Sequence, residues 1–116
     1  EIIMIEIIIK NYLAEKLSVP VVLEVPADPP KSFVLLEKTG SSREEHIDRA
    51  MLAIQSYAPS MYEAARLNER VKAAMDSAAE LDAVSASRLN SDYNFTDTTT
   101  KRYRYQAVYD LVYFDK

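Results

Sequence analysis

The residue types best suited to chemistry sit in three places. Glu44-Glu45-His46-x-Asp48 is the only cluster of metal-ligand types. On a strand, adjacent side chains point to opposite faces, so His46 can converge with Glu44 or with Asp48, and two ligands without a third make a poor site. A solvated hairpin edge is the better reading, and no metal or other cofactor is expected. Asp110 stands between Tyr109 and Leu111 with no second carboxylate at a spacing that would divide acid and base roles. Lys101-Arg102-Tyr103-Arg104-Tyr105 interleaves cations with rings, which is how single-strand binders hold a backbone and stack bases. On a strand those arginines and tyrosines face opposite ways and cannot act on one ligand surface together.

Composition narrows the field further. The 116 residues contain no cysteine, one glycine and one histidine. Disulfide frameworks, zinc fingers and thiol catalysis are thereby excluded, and so are the phosphate-binding loops that need several glycines. No serine lies on a Gly-flanked turn of the nucleophile-elbow kind. Fourteen basic against 18 acidic side chains give a net charge of −4, the wrong sign for coating nucleic acid or an anionic membrane. The chain is not expected to be an enzyme. Eight tyrosines against three phenylalanines favour a surface that is apolar at one end of the ring and wet at the other, as interfaces are.

Those residues need elements to hold them. Ile5, Ile9, Leu13 and Leu17 recur every fourth position, with Ile8 and Tyr12 beside them, which predicts a helix stopped at Ser18-Val19-Pro20. The β-branched run over residues 2–9 makes a strand the rival. Val21–Val25 reads as a short strand and Pro26-Ala27-Asp28-Pro29-Pro30 as a stiff extended loop. Phe33–Lys38 is a second strand, followed by a Thr39-Gly40-Ser41-Ser42 turn in which Gly40 supplies a positive φ. His46–Tyr57 is a third strand, with Ala50, Leu52 and Ile54 on one face and Ile47, Met51 and Ala53 on the other; a short helix also fits Ile47, Met51 and Ile54. Ser60-Met61-Tyr62-Glu63 is a capping box that opens a helix to about residue 82, with Ala64, Leu67, Val71, Ala74, Met75, Ala78 and Leu81 on one stripe. Val84–Tyr93 reads as a polar strand, Asn94–Thr100 as a loop, and Arg102–Phe114 alternates strictly. The expectation is one α+β domain over residues 1–116, in the order α-β-β-β-α-β-β, with a mainly antiparallel sheet and two amphipathic helices.

Met4 is a candidate natural start. The apolar run Ile2–Ile9 is broken by Glu6, followed by Lys10, and lacks a basic leader and a cleavage site. The expectation is a protein made and kept in a cytoplasm.

Read in order, "VPADPPKSFVLLEKTGSS", "HIDRAMLAIQSYAPSMYEAARLNERVKAAM" and "DTTTKRYRYQAVYDLVYF" resemble the small tail-terminator, or tail-completion, proteins of siphovirus-type bacteriophages and prophages. The likeness runs from Met4 to Phe114. It is carried most by "IQSYAPSMYEAARL", with Ser56-Tyr57-Ala58 before the capped helix, and by Arg104-Tyr105-Gln106 opening the last strand. Members often have more glycine around Thr39-Gly40. Related neck and head-completion proteins share a similar architecture.

The resemblance implies a homo-oligomeric ring, usually a hexamer, on the head-proximal end of the virion tail, assembled in the host cytoplasm. Such a ring stops growth of the major tail-tube protein and presents a surface to a head-completion or neck protein. It implies no membrane partner. Candidate contact residues are Thr39, Gly40, Ser41, Ser42, Arg43 and Glu44 at the expected hairpin tip, Phe95, Thr98 and Lys101 in the following loop, and Arg102 and Arg104. The alternative is a monomeric binding domain, for nucleic acid or another ligand, that uses the basic–aromatic last strand.

Overall fold

The computed structural model describes residues 4–100 and 102–114. Helix α1 (Ile5–Lys16) is followed by strands β1 (Val21–Val22), β2 (Phe33–Glu44) and β3 (Ile47–Ala58). Then come α2 (Met61–Asp76), a single 3-10 turn at Ala78–Glu80, β4 (Val84–Asn94) and β5 (Tyr103–Phe114). The expected order α-β-β-β-α-β-β is the observed one. One five-stranded sheet runs β1-β2-β3-β5-β4, antiparallel throughout except for the short parallel β1–β2 pair.

The helical spacing of the isoleucines prevails over their β-branching because only a helix brings Ile5, Ile9 and Leu13 to one side, where all three are buried. The Tyr12 hydroxyl donates to the Ala74 carbonyl at 2.8 Å and ties α1 to α2. At Leu17 the backbone turns extended, and Pro20 follows.

In α2 the Ser60 oxygen accepts the Glu63 N–H at 3.2 Å, as a capping box requires. The returning Glu63 carboxylate accepts from the Ser60 hydroxyl. The helix ends at Asp76, short of the expected 82. Its last carbonyls are taken by neighbours, Ala74 by Tyr12 and Met75 by the Ser87 hydroxyl, and the chain tightens into the 3-10 turn.

Both helices cover the same side of the sheet. Val34 and Leu36 of β2, Ala50, Leu52 and Ile54 of β3, and Ala107, Tyr109 and Leu111 of β5 pack there against Ile9, Leu13, Val71 and Met75. Each large apolar side chain buried this way contributes about 1.5–3 kcal/mol relative to exposure.

Three expectations about strands and turns need correction. The first strand is Val21–Val22 alone. Leu23 and Val25 lie outside it and are exposed, because β1 pairs only with Val34 and Leu35. Thr39–Ser42 is not a turn: β2 continues to Glu44, with Gly40 opposite Met51 and Glu44 opposite Ile47. The irregularity there is a bulge at Thr39, whose hydroxyl donates to the Met51 carbonyl. Gly40 has no positive φ. The hairpin tip is Glu45-His46, with φ of 51° and 68°, so two ordinary residues take the left-handed conformation that a tight hairpin demands.

Candidate assembly surface

The side of the sheet away from the helices carries no helix among the described residues, although Phe33, Ala53, Gln55 and Tyr57 are buried there, and strand register sorts its residues into transverse rows. The first row is Phe33, Tyr57 and Arg104, with Phe95 joined through its N–H to the Arg104 carbonyl. Next come Leu35, Gln55, Gln106 and Tyr93, then Glu37, Ala53, Val108 and Ser91. Beyond the bulge lie Gly40, Met51, Asp110 and Arg88, followed by Ser42, Arg49, Val112 and Ala86. The last row is Glu44, Ile47 and Phe114.

The two ends of this face differ in kind. At the first, Phe33 stacks on Tyr57 with centroids 4.5 Å apart, and the Arg104 guanidinium lies 4.4 Å from the Phe95 ring centre and 5.6 Å from that of Tyr57. Arg104 Nε donates to the Phe95 carbonyl at 2.7 Å and Nη1 to the Tyr57 hydroxyl at 2.7 Å. Gln55 donates to Gln106, and Gln106 donates to the Tyr93 hydroxyl. This end satisfies its own polar groups across three strands.

At the other end Met51 and Phe114 are 38% and 43% exposed. A shallow depression of about 520 Å³ there is lined by Gly40, Ser42, Met51, Ala86 and Val112, with Arg49 and Arg88 on the strands either side of Asp110. Asn90 donates to the Asp110 carboxylate.

The sequence-derived candidates divide between these regions. Thr39 to Glu44 run along β2, whose outer edge is paired with β1 only at Val34 and Leu35. Arg43 bonds through Nε and Nη2 to Asp48 on β3, so Asp48 is buried and engaged on the helix side. Among the described residues, no three His, Cys, Asp or Glu side chains gather as a metal site would require. Phe95 is 40% exposed and lies edge-on to Tyr93. Thr98 is exposed in a loop organised by Asp97. The Thr100 side chain and the Thr99 and Thr100 N–H groups hold the Asp97 carboxyl below the usual carboxylate range. Arg102 precedes β5 and is exposed, bridged to Asp97 through its backbone. Lys101 lies outside the described residues.

The basic–aromatic stretch does not form one surface. Arg104 is on the bare side and engaged within its own chain, while Tyr105 lies with the helix-side residues of β5. Met51, Arg49, Arg88, Val112 and Phe114 were not among the candidates. Their signal in the sequence is Val108, Val112 and Phe114 alternating with the tyrosines of β5, which puts apolar groups on both faces of a strand covered on one.

Among the described residues no helix is long and apolar enough to cross a membrane. No protein-family model matches the chain, and neither does any curated protein.

Proposed function

We propose that this chain is a structural subunit of the tail-terminator kind. In this reading, copies close into a ring on the head-proximal end of a phage tail tube, stop its polymerisation and present a surface for joining the head. The resemblance of the sequence motifs motivates the reading. The observation that supports it best is the bare sheet face, where the exposed apolar side chains Met51 and Phe114 lie near Arg49 and Arg88, which have no ion-pair partner among the described residues. Apolar surface of this kind, rimmed by polar residues, is characteristic of protein–protein contact. The mechanism is shape and charge complementarity between unlike patches on successive subunits, which closes into a ring when the rotation permits.

The test is assembly of the cognate tail-tube protein with and without the chain. Tubes of limited length carrying a ring at one end, seen by electron microscopy, are the expected result. Unlimited tube growth at saturating chain would overturn the proposal. A chain that joins heads to tails without limiting tube length would instead be a neck protein.

A further inference from the structure

We infer that the depression around Gly40 on the bare face receives the Leu23–Asp28 segment of a second copy of this chain. The inference rests on the ring-subunit reading and specifies its contact.

The first observation is Gly40 itself. It is the only glycine in the chain, it sits within a strand, and its φ is not positive. A Cβ built on it would meet nothing within 4 Å. Neither backbone conformation nor packing among the described residues calls for glycine there, although glycine weakens a strand by roughly 0.5–1 kcal/mol relative to alanine. Glycine in a strand interior is a mark of places where another backbone approaches closely.

The second is charge. Arg49 and Arg88 line the depression on either side of Asp110, which accepts from Asn90; the two cations outnumber that carboxylate, and neither has a hydrogen-bond or ion-pair partner among the described residues. The third is the segment that would fit. Leu23-Glu24-Val25-Pro26-Ala27-Asp28 carries two carboxylates and no cation. Its Leu23 and Val25 are 40% and 37% exposed, so each still offers apolar surface to a neighbour. Pro26 within it and Pro29-Pro30 directly after it restrict the backbone in advance, which lowers the ordering cost of binding.

The segment cannot serve the depression of its own subunit. Val22 pairs with Leu35 at one end of it and Phe33 begins β2 at the other, so both ends are held at the Phe33 end of the sheet. The depression lies beyond the Thr39 bulge. Groove and segment are different patches, so the contact is head-to-tail, as a ring requires.

The absence of native cysteine makes a cross-linking test clean. Val25→Cys and Met51→Cys alter exposed positions and are prepared separately, then mixed with a short bis-maleimide. A mixed dimer is expected on mixing, and an oligomer ladder from the double variant. No mixed dimer at the highest soluble concentration, or preferential cross-linking within one single variant, overturns the inference.

Gly40→Val should melt at or above the wild-type temperature, because its side chain enters open space and suits a strand, yet reduce the mixed cross-link by about tenfold or more. An undiminished cross-link overturns the inference. Reversing Arg49 and Arg88 to Glu should abolish the cross-link, and Glu24→Arg with Asp28→Arg on the partner should restore it; failure to restore also counts against the contact. Chains that limit tube length without the Val25–Met51 cross-link would keep the ring reading and discard this contact. Chains that cross-link without limiting tubes would do the reverse.

Discussion

Arg104 joins β3, β5 and the loop after β4 through one guanidinium that donates to Phe95 and Tyr57 and lies against both rings. Of the two bonds the one to Phe95 is exposed and adds little, the half-buried one to Tyr57 sits at the low end of the roughly 1.5–3 kcal/mol of a charged donor, and ring contact adds about 0.5–1. Arg104→Ala is therefore expected to cost about 2–3 kcal/mol and lower Tm by roughly 10 °C in a thermal melt. Arg104→Lys keeps the charge but not the planar fork, so it should lose most of the same amount; a lysine variant as stable as wild type would show that charge alone suffices. Tyr109 gives a pH-dependent prediction. Burial first, then the nearby Asp76 carboxylate, pushes its hydroxyl well above the ordinary value of 10.0, and burial and Glu80 push Tyr12 the same way. A raised folded pKa means that the unfolded chain ionises first. The stability these tyrosines contribute is thus complete below about pH 10 and lost as pH rises toward the folded values. Tyr109→Phe should flatten the alkaline limb of stability against pH while costing only about 1 kcal/mol at neutral pH. An unchanged alkaline limb would assign that limb to other groups.

Among the elements, the β2–β3 hairpin gives the sharpest case of geometry overriding local preference. Its two-residue tip places Glu45 and His46 at positive φ, at about 1–2 kcal/mol each for residues that carry a Cβ. Glu45→Asn with His46→Gly supplies residues suited to that turn and should raise stability by about 1–2 kcal/mol, read as a higher Tm; a lower Tm would mean that the native side chains hold the tip. The same hairpin shows why the turn was misplaced from sequence. Gly40 is the obvious local breaker, but the turn is set by a twelve-residue strand pairing that no short window contains. Elements governed by local chemistry were legible: the Ser60–Glu63 cap of α2, the fourfold spacing of α1, the alternation of β5. Apolar Leu23 and Val25 extend β1 in the sequence, yet both lie outside its pairing with β2 and stay more than a third exposed. The bare face was not legible as a site, since Gly40, Arg49, Arg88 and Val112 come together only through register between strands far apart in sequence.

At the scale of the molecule, a sheet covered on one side makes the two faces answer to different demands. The covered side builds the core: Leu52, Ile54, Leu36 and Leu111 are almost wholly buried between strands and helices. Removing their bulk leaves a cavity that a two-layer fold has little freedom to close. Leu52→Ala is therefore expected to cost about 2–5 kcal/mol, measured by denaturant unfolding. Phe114 ends the bare side at 43% exposure, and Met51 lies two rows before it. Polar replacement there removes apolar surface that already faces water. Phe114→Ser should change monomer stability by no more than about 0.5 kcal/mol. The consequence should instead appear between molecules, as weaker concentration-dependent association in light scattering. The two measurements must part company if the bare face exists for assembly: unfolding energy falls for Leu52→Ala, association falls for Phe114→Ser. A Phe114→Ser chain that loses several kcal/mol while its association is unchanged would make that face a second, intramolecular core and leave the sheet without a surface for its neighbours.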